Sequence, residues 1–257
     1  MNIIILAAGK GERLRPLTDE RPKCLVSLLG LSLLERQVKI IHEVGLPDPI
    51  VVTGYRGEMI KDLGFEVRRN VRFATTNMVE SLFAAEDVMK RGGDVVILYG
   101  DIVYQKEVLE KLIASDGPIS LVIDREWERY WRVRMEDPLA DAETLRLDDQ
   151  GRILELGKKP RSVDEIQGQY IGMIKFGGRS IGEIAAFYHG MDRAAVFDGK
   201  DFDNMYMTSF LQALINNGLE AKAVEIDNGW LEIDSTQDLA VYESLAAVGG
   251  LEKFYDA

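Results

Sequence analysis

Scarcity narrows the reading of this 257-residue chain before any motif does. It has one cysteine, Cys24, and two histidines, His42 and His189. A single thiol excludes an internal disulfide framework and a cysteine-built zinc site. Set in an apolar stretch after Lys23, it reads as a packing residue. The histidines fall at the ends of two amphipathic patterns with no partner nearby in sequence, so both read as structural. Positive charge is also short: 31 Lys and Arg face 43 Asp and Glu, a net charge of −12. That balance argues against tracking along nucleic acid, which needs a basic surface. It suits divalent and cationic ligands. No apolar run approaches the roughly 18 residues of a membrane span. The N-terminal run is too short for a secretory leader, so the expectation is a cytoplasmic protein. With 46% hydrophobic and 29% charged residues, the chain is an ordinary globular one.

Two familiar phosphate loops are missing. The P-loop pattern G-x-x-x-x-G-K-[ST] occurs nowhere, and Leu14 stands where the dinucleotide fingerprint needs its third glycine. What stands instead is Ile3-Ile4-Ile5-Leu6-Ala7-Ala8 running into Gly9-Lys10-Gly11-Glu12-Arg13-Leu14-Arg15-Pro16-Leu17-Thr18, then Pro22-Lys23. A β-branched run stopped by small residues reads as a buried strand feeding a loop. The glycines let backbone N–H groups approach a ligand, and Arg13, Arg15 and Lys23 meet negative charge. That combination suits a nucleoside triphosphate.

Apolar runs then alternate with helical spacing. Strands are expected at 3–7, 49–53, 67–69, 95–99 and 119–123, and helices at 33–44, 58–63, 79–90 and 107–114. Ser32-x-x-Glu35 and Asn77-x-x-Glu80 are start signals of the capping-box type. The alternation implies an α/β fold with a mostly parallel sheet covered on both faces. After Asp124 the pattern changes: 144–147 and 152–156 flank Asp148-Asp149-Gln150-Gly151 as a β-hairpin. A strand at 168–176, helices at 180–189 and 206–216, strands at 221–226 and 231–233, and a helix at 235–246 capped by Ser235 complete the chain. We expect one domain over 1–257. Its nucleotide half is about 1–123, its acceptor half with the hairpin as lid about 124–234, and a C-terminal helix closes it at 235–257.

The opening loop, with Thr76-Asn77-Met78-Val79-Glu80-Ser81-Leu82, Tyr99-Gly100-Asp101, Phe202-Asp203-Asn204-Met205 and Glu232-Ile233-Asp234-Ser235, resembles a nucleotidyltransferase family. Its members join a nucleoside monophosphate to a phosphorylated sugar or small alcohol and release pyrophosphate. The resemblance runs from about Met1 to Leu245 and leans toward the phosphocholine cytidylyltransferases. It implies a Rossmann-like domain with a mixed, mostly parallel sheet.

Under that resemblance Arg13 meets the departing pyrophosphate and Lys23 neutralises the reacting phosphates. Asp101 and Asp234 occupy the family's two metal-binding positions. Glu232 and Asp234 alternate along a strand and so share a face, which makes Glu232 a third candidate ligand for Mg²⁺. Base recognition falls to the backbone of Leu6, Ala7, Ala8 and Gly9, with Gly11 and Gly100 nearby. Gly54, Tyr55, Thr76 and Asn77 close the pocket, and Asn77 and Ser81 supply directional hydrogen bonds.

The acceptor side is expected to draw on Trp131, Tyr170, Phe202, Asp203 and Trp230, since aromatic faces attract quaternary ammonium groups. Lys159, in a Lys158-Lys159-Pro160 stretch, is a candidate contact for the acceptor phosphate. The expected partners are CTP and a small phosphorylated alcohol or phosphonate, phosphocholine first, with no nucleic acid or membrane. A homo-oligomer remains open. The alternatives are a sugar-1-phosphate nucleotidyltransferase using UTP, dTTP or GTP, and a nucleotide sensor without catalysis.

Overall fold

The computed structural model describes residues 1–256. Its strands are β1 Asn2–Ala7, β2 Ser27–Leu28, β3 Leu31–Ser32, β4 Ile50–Thr53, β5 Val67–Arg69, β6 Val95–Tyr99 and β7 Ile102–Tyr104. They continue with β8 Ile119–Asp124, β9 Leu145–Leu147, β10 Ile153–Leu156, β11 Gln169–Phe176, β12 Ala221–Ile226 and β13 Trp230–Glu232. Seven of them form one sheet in the order β12-β8-β11-β6-β1-β4-β5. Every neighbouring pair is parallel except the two that β11 makes with β6 and β8. The sheet is therefore mixed but mostly parallel, as the alternating pattern implied.

The helices are α1 Leu33–Glu43, α2 Gly57–Asp62, α3 Met78–Phe83, α4 Glu86–Met89, α5 Lys106–Ala114, α6 Trp127–Arg134, α7 Ile181–Gly190, α8 Met207–Asn216 and α9 Thr236–Ala247. Period-two alternation in β1 sends Ile3 and Ile5 to one face of the sheet and Ile4 and Leu6 to the other. The first core collects Leu33 and Ile41 of α1, Leu109 of α5, Tyr130 of α6 and Tyr242 of α9. The second collects Val79 and Leu82 of α3, Ile184 of α7 and Phe210 of α8. Burying both faces explains why β1, β4 and β6 read as continuous apolar runs.

The capping signals divide. Ser32 with Glu35, and Ser235 with Asp238, form reciprocal capping boxes. Asn77 does not: its side chain accepts from the Met78 amide, and Glu80 turns away to Arg72 and Tyr188. The single helix expected over 79–90 is two, because Ala85 leaves helical geometry (φ −108, ψ 24) between α3 and α4. The hairpin forms as β9–β10, with Asp148 Oδ1 accepting from the Gln150 and Arg152 amides at 2.9 Å each. Its Leu145, Ile153 and Leu156 are buried in the second core. Helix α6 and strand β7 were not among the expected elements. Among the described residues no helix is long and apolar enough to cross a membrane.

Candidate active site

The loop after β1 is held by its own apolar and hydroxyl residues. Gly11, left-handed at φ +63, opens a 3-10 turn over Glu12–Leu14. Leu14 is fully buried and the Thr18 hydroxyl donates to the Gly11 carbonyl at 2.8 Å. A second 3-10 turn, Lys23–Leu25, follows Pro22 and buries Cys24. These anchors aim Lys23 inward and leave Arg13 at the surface.

Strand pairing brings two distant carboxylates to Lys23. Asp101 lies between β6 and β7, and β13 pairs antiparallel with β7, Glu232 opposite Ile102. The Ile233 amide donates to the Asp101 carbonyl at 2.9 Å, so Asp234 comes back beside the end of β6. Lys23 Nζ then donates to Asp101 Oδ2 and to Asp234 Oδ1, each at 2.9 Å. Arg13 pairs with the other Asp234 oxygen. Burial of Lys23 works against its charge, but Asp101 and Asp234 outweigh it and hold the ammonium above lysine's ordinary value. Asp101 Oδ1 is buried and has no hydrogen-bond partner among the described residues.

This group stands at the wall of a cavity of about 210 Å³. Its lining joins Leu6, Ala7, Ala8 and Gly9 from the first loop with Thr76, Asn77 and Ser81, and with Gly100. Gly100 is required there, because a Cβ would lie 2.8 Å from the Leu6 carbonyl oxygen. Of two further lining residues, Phe73 carried no signal in the sequence beyond being apolar, and Met78 stood in the Thr76–Leu82 motif without an assigned role. Behind the wall, buried Asn70 donates to Thr76 Oγ1 at 2.9 Å and Ser81 Oγ at 3.0 Å. The Asn77 amide is already committed, accepting from the Met78 N–H and donating to the Asn204 carbonyl.

Gly11, Gly54 and Tyr55 do not line the cavity. Gly11 packs on the Lys23 side chain, where a Cβ would meet Cβ at 3.0 Å. Tyr55 bonds through its amide to the Ala8 carbonyl and through its hydroxyl to the Asp19 carbonyl, bracing the loop from behind. Gly54 allows that close packing, since its Cβ would fall 2.5 Å from the Ala8 oxygen.

A second cavity of about 310 Å³ shares Asn77 and Met78 with the first. Its wall includes Arg13, Tyr99, Trp131, Tyr170, Trp230 and Glu232. Two indoles are pinned by carboxylates: Trp131 Nε1 donates to Asp141 at 3.2 Å, and Trp230 Nε1 to buried Asp124 at 2.9 Å. The Arg134 guanidinium lies 5.5 Å from the centroids of both Tyr130 and Trp131. A face of each ring is thus already covered by a cation.

Three sequence candidates lie elsewhere. Phe202 is buried in the second core against Tyr188 and Phe197. Asp203 is at the surface, paired with Arg72 at 2.7 Å. Lys159 donates to the carbonyls of Leu139 and Ala140, which end a short 3-10 turn, and stands outside this cavity. In each case a local structural partner takes the side chain.

The three carboxylates expected to converge do not. Glu232 accepts from Arg134 Nη1 at 2.6 Å, and Arg134 also reaches Asp238 at 3.1 Å. Burial, with Asp101 and Asp234 nearby, pushes the Glu232 carboxyl up against the pull of Arg134. Among the described residues no group of three metal-binding side chains comes together. Arg134 and Asp124 were not singled out in the sequence. The Trp127, Tyr130, Trp131 spacing was the available helical signal for the element that carries Arg134.

Comparison with known proteins identifies the family. Residues 3–158 match the model of the MobA-like NTP transferase domain. A CTP:phosphoglutamine cytidylyltransferase from Campylobacter jejuni is 42% identical over 250 residues, covering 94% of this chain and 98% of that protein. Two solved structures share the fold at 22% identity. The inositol-1-phosphate CTP transferase of T. maritima has a TM-score of 0.72, covering 100% of this chain and 98% of the other. The CTP:phosphocholine cytidylyltransferase of Streptococcus pneumoniae has a TM-score of 0.69, covering 96% and 98%. The chain therefore belongs to the MobA-like NTP transferases, as a nucleotidyltransferase with cytidylyltransferase relatives.

Proposed function

We propose that the protein transfers the CMP unit of CTP to a small phosphorylated acceptor and releases pyrophosphate, with Mg²⁺ as its metal. The observation that carries this reading is the meeting of Lys23, Asp101 and Asp234 beside the cavity lined by Leu6–Gly9. An acceptor phosphate oxygen attacks the α-phosphorus, the bond to the bridging oxygen breaks, and pyrophosphate leaves with that electron pair. A phosphate nucleophile is already deprotonated near neutral pH, so no general base is required. Positioning and charge neutralisation carry the catalysis. Lys23 neutralises the reacting phosphates and Arg13, exposed at the rim, meets the departing pyrophosphate.

The Asp101 oxygen left without a partner and the neighbouring Asp234 carboxylate suit a hard cation that takes oxygen ligands. Bound there, Mg²⁺ would offset charge on the α-phosphate and the leaving group. Glu232, committed to Arg134, has no part in holding it.

CTP is favoured by the cytidylyltransferase relatives. For the acceptor we place phosphoglutamine ahead of phosphocholine. The Campylobacter relative, similar along nearly its whole length, is named for the former. A quaternary-ammonium cage on Tyr130 and Trp131 would compete with Arg134. On this reading residues 1–123 serve mainly the nucleotide and 124–234 mainly the acceptor, in a cytoplasmic enzyme.

The test is pyrophosphate release with CTP, UTP, dTTP, GTP and ATP, each with phosphoglutamine, phosphocholine, an aminoalkylphosphonate and glucose-1-phosphate, with Mg²⁺ or with chelator. Release with CTP and an amino-bearing acceptor, lost on chelation, is the expected result. Release only with the hexose phosphate overturns the reading.

A further inference from the structure

The second cavity contains a carboxylate that the phosphate chemistry does not use. Glu143 follows the short turn at Pro138–Ala140, and its backbone is clamped on both sides by one side chain. Its amide donates to Gln169 Oε1 at 3.0 Å, and its carbonyl accepts from Gln169 Nε2 at 2.5 Å. The carboxyl group is thereby presented to the cavity, with Tyr99, Trp131, Tyr170, Tyr206, Thr208 and Trp230 in the same wall.

Every other charged group of that wall has an established partner. Glu232 is paired with Arg134, Arg13 with Asp234, and Asp141 accepts from the Trp131 indole. Glu143, like Asp141, makes no ion pair among the described residues, and the Thr208 hydroxyl beside it is neutral. A half-buried carboxylate with no cation is costly to charge unless a cation arrives from outside. A second group points the same way. The Tyr170 hydroxyl, in the same wall, is buried with no hydrogen-bond partner among the described residues. Its ring meets Tyr99 edge to face at 5.8 Å.

We propose that Glu143 receives a primary ammonium group of the phosphorylated acceptor, with the Tyr170 hydroxyl as a neighbouring polar contact, so that the acceptor class is phosphorylated primary amines and amino acids. This rests on the cytidylyltransferase reading and specifies its second substrate. A primary ammonium donates hydrogen bonds as well as carrying charge, which a carboxylate and a phenolic oxygen can both accept. A quaternary ammonium offers no donor and would leave both unsatisfied.

The electrostatics are consistent with a site that waits for a cation. Burial, then the Asp141 carboxylate, pushes the Glu143 carboxyl up to about 7, with Asp198 and Glu232 adding to the effect and Thr208 opposing it. The phenols of Tyr99 and Tyr170 face the same group and are held protonated by burial. An incoming ammonium would draw the Glu143 carboxyl back to its ionised form.

The test compares matched acceptors in the CTP-dependent pyrophosphate assay: phosphoethanolamine against propyl phosphate, and phosphoglutamine against its desamino analogue. Wild-type protein, Glu143→Gln and Tyr170→Phe are used, with CTP binding followed by calorimetry. The expected result is that the wild type prefers the ammonium-bearing member of a pair by about tenfold to a hundredfold in kcat/KM. Glu143→Gln should abolish that preference through the acceptor KM and leave CTP affinity unchanged. In the wild type the acceptor KM should also fall as pH rises through about 7, relative to the ammonium-free partner.

Equal use of both members of each pair by the wild type overturns the assignment of Glu143 while leaving the cytidylyltransferase reading intact. So does a Glu143→Gln variant that keeps its preference, or one that loses CTP binding. Failure of the wild type to bind CTP overturns the underlying reading, and this proposal with it.

Discussion

Lys23 Nζ lies 2.9 Å from Asp234 Oδ1, although 211 positions of sequence separate the two residues. The same ammonium is 2.9 Å from Asp101 Oδ2. One cation therefore holds together the ends of the first loop, β6 and β13, and keeps two carboxylates close enough to share a ligand.

Asp101→Asn removes the negative charge that a divalent ion needs while keeping the shape of the side chain. The expected outcome is a loss of kcat of at least about a hundredfold with a folded protein. Steady-state pyrophosphate release and a thermal melt check both halves. Unchanged turnover would mean that Asp101 does not serve the reacting phosphates.

Lys23→Met leaves Asp101 and Asp234 facing each other with only exposed Arg13 near by. Both carboxylates are mostly buried, so the variant should lose about 1–3 kcal/mol of stability in chelator. Added Mg²⁺ should then raise its melting temperature more than it raises that of the wild type, because it replaces the missing cation. Equal shifts in the two proteins would separate the metal from this pair of carboxylates.

Arg134→Met strips the partner from Glu232 and Asp238 at once. Asp238 Oδ2 in turn accepts from the Asp234 and Ser235 amides at 2.9 and 2.8 Å, so the damage reaches the segment that holds Asp234 against Lys23. A loss of about 3–5 kcal/mol is expected in urea unfolding. Arg134→Lys should recover only part of it, since an ammonium cannot span both carboxylates as the planar fork does.

Glu143 carries a pH dependence of stability with a definite sign. Its carboxyl is raised in the folded protein from 4.5 to about 7, so the folded state binds more protons than the unfolded state between those values. Stability falls as pH rises through that window. Glu143→Gln should therefore be more stable than the wild type at pH 8, on the order of 2 kcal/mol, with the gap closing by pH 4. Melts of both proteins across pH, without ligands, measure it.

Gly100→Ala tests the cavity floor. The new Cβ would sit 2.8 Å from the Leu6 carbonyl oxygen and 3.0 Å from the Ala7 Cβ, forcing β1 and the start of the loop to shift. Overpacking of this kind costs about 1–3 kcal/mol. Nucleotide affinity, measured by titration calorimetry, should fall with it.

Part of the first cavity's lining was legible because its information is local. An apolar run that ends at Ala8 or Gly100 announces a buried strand and the loop beyond it, which accounts for lining residues 6–9 and 100, whereas Thr76, Asn77 and Ser81 were named only through the family resemblance. The acceptor side was legible only in part. Trp131, Tyr170 and Trp230 do line the second cavity, but Phe202 is an equally apolar residue that the second core claimed. Glu232 was assigned to the metal by strand alternation, and alternation says nothing of what stands opposite. Arg134 stands opposite, from a helix whose 127, 130, 131 spacing is clear in retrospect. Strand β7, three residues directly after Asp101, is too short to show a period. Its pairing with β13 is nonetheless what returns Asp234 to Asp101. Glu143 carries no motif, and only its place in the wall of the second cavity without a cation draws attention to it.

The reversed strand β11 has a consequence for selectivity by length. It pairs with β6 through Met173–Phe176, and its register against β8 shifts between Tyr170 and Ile174, where Gly172 makes room for the Tyr99 ring. Tyr170 on β11 and Asp101, in the turn just past the end of β6, are thus carried by adjoining strands of one hydrogen-bonded sheet. The two cavities are joined by that sheet and not by a hinge. A molecule reaching from one carboxylate to the other must match an interval set by backbone pairing. The sheet acts as a ruler, and acceptors one methylene too long or too short should be rejected by geometry even when both of their ends are chemically correct.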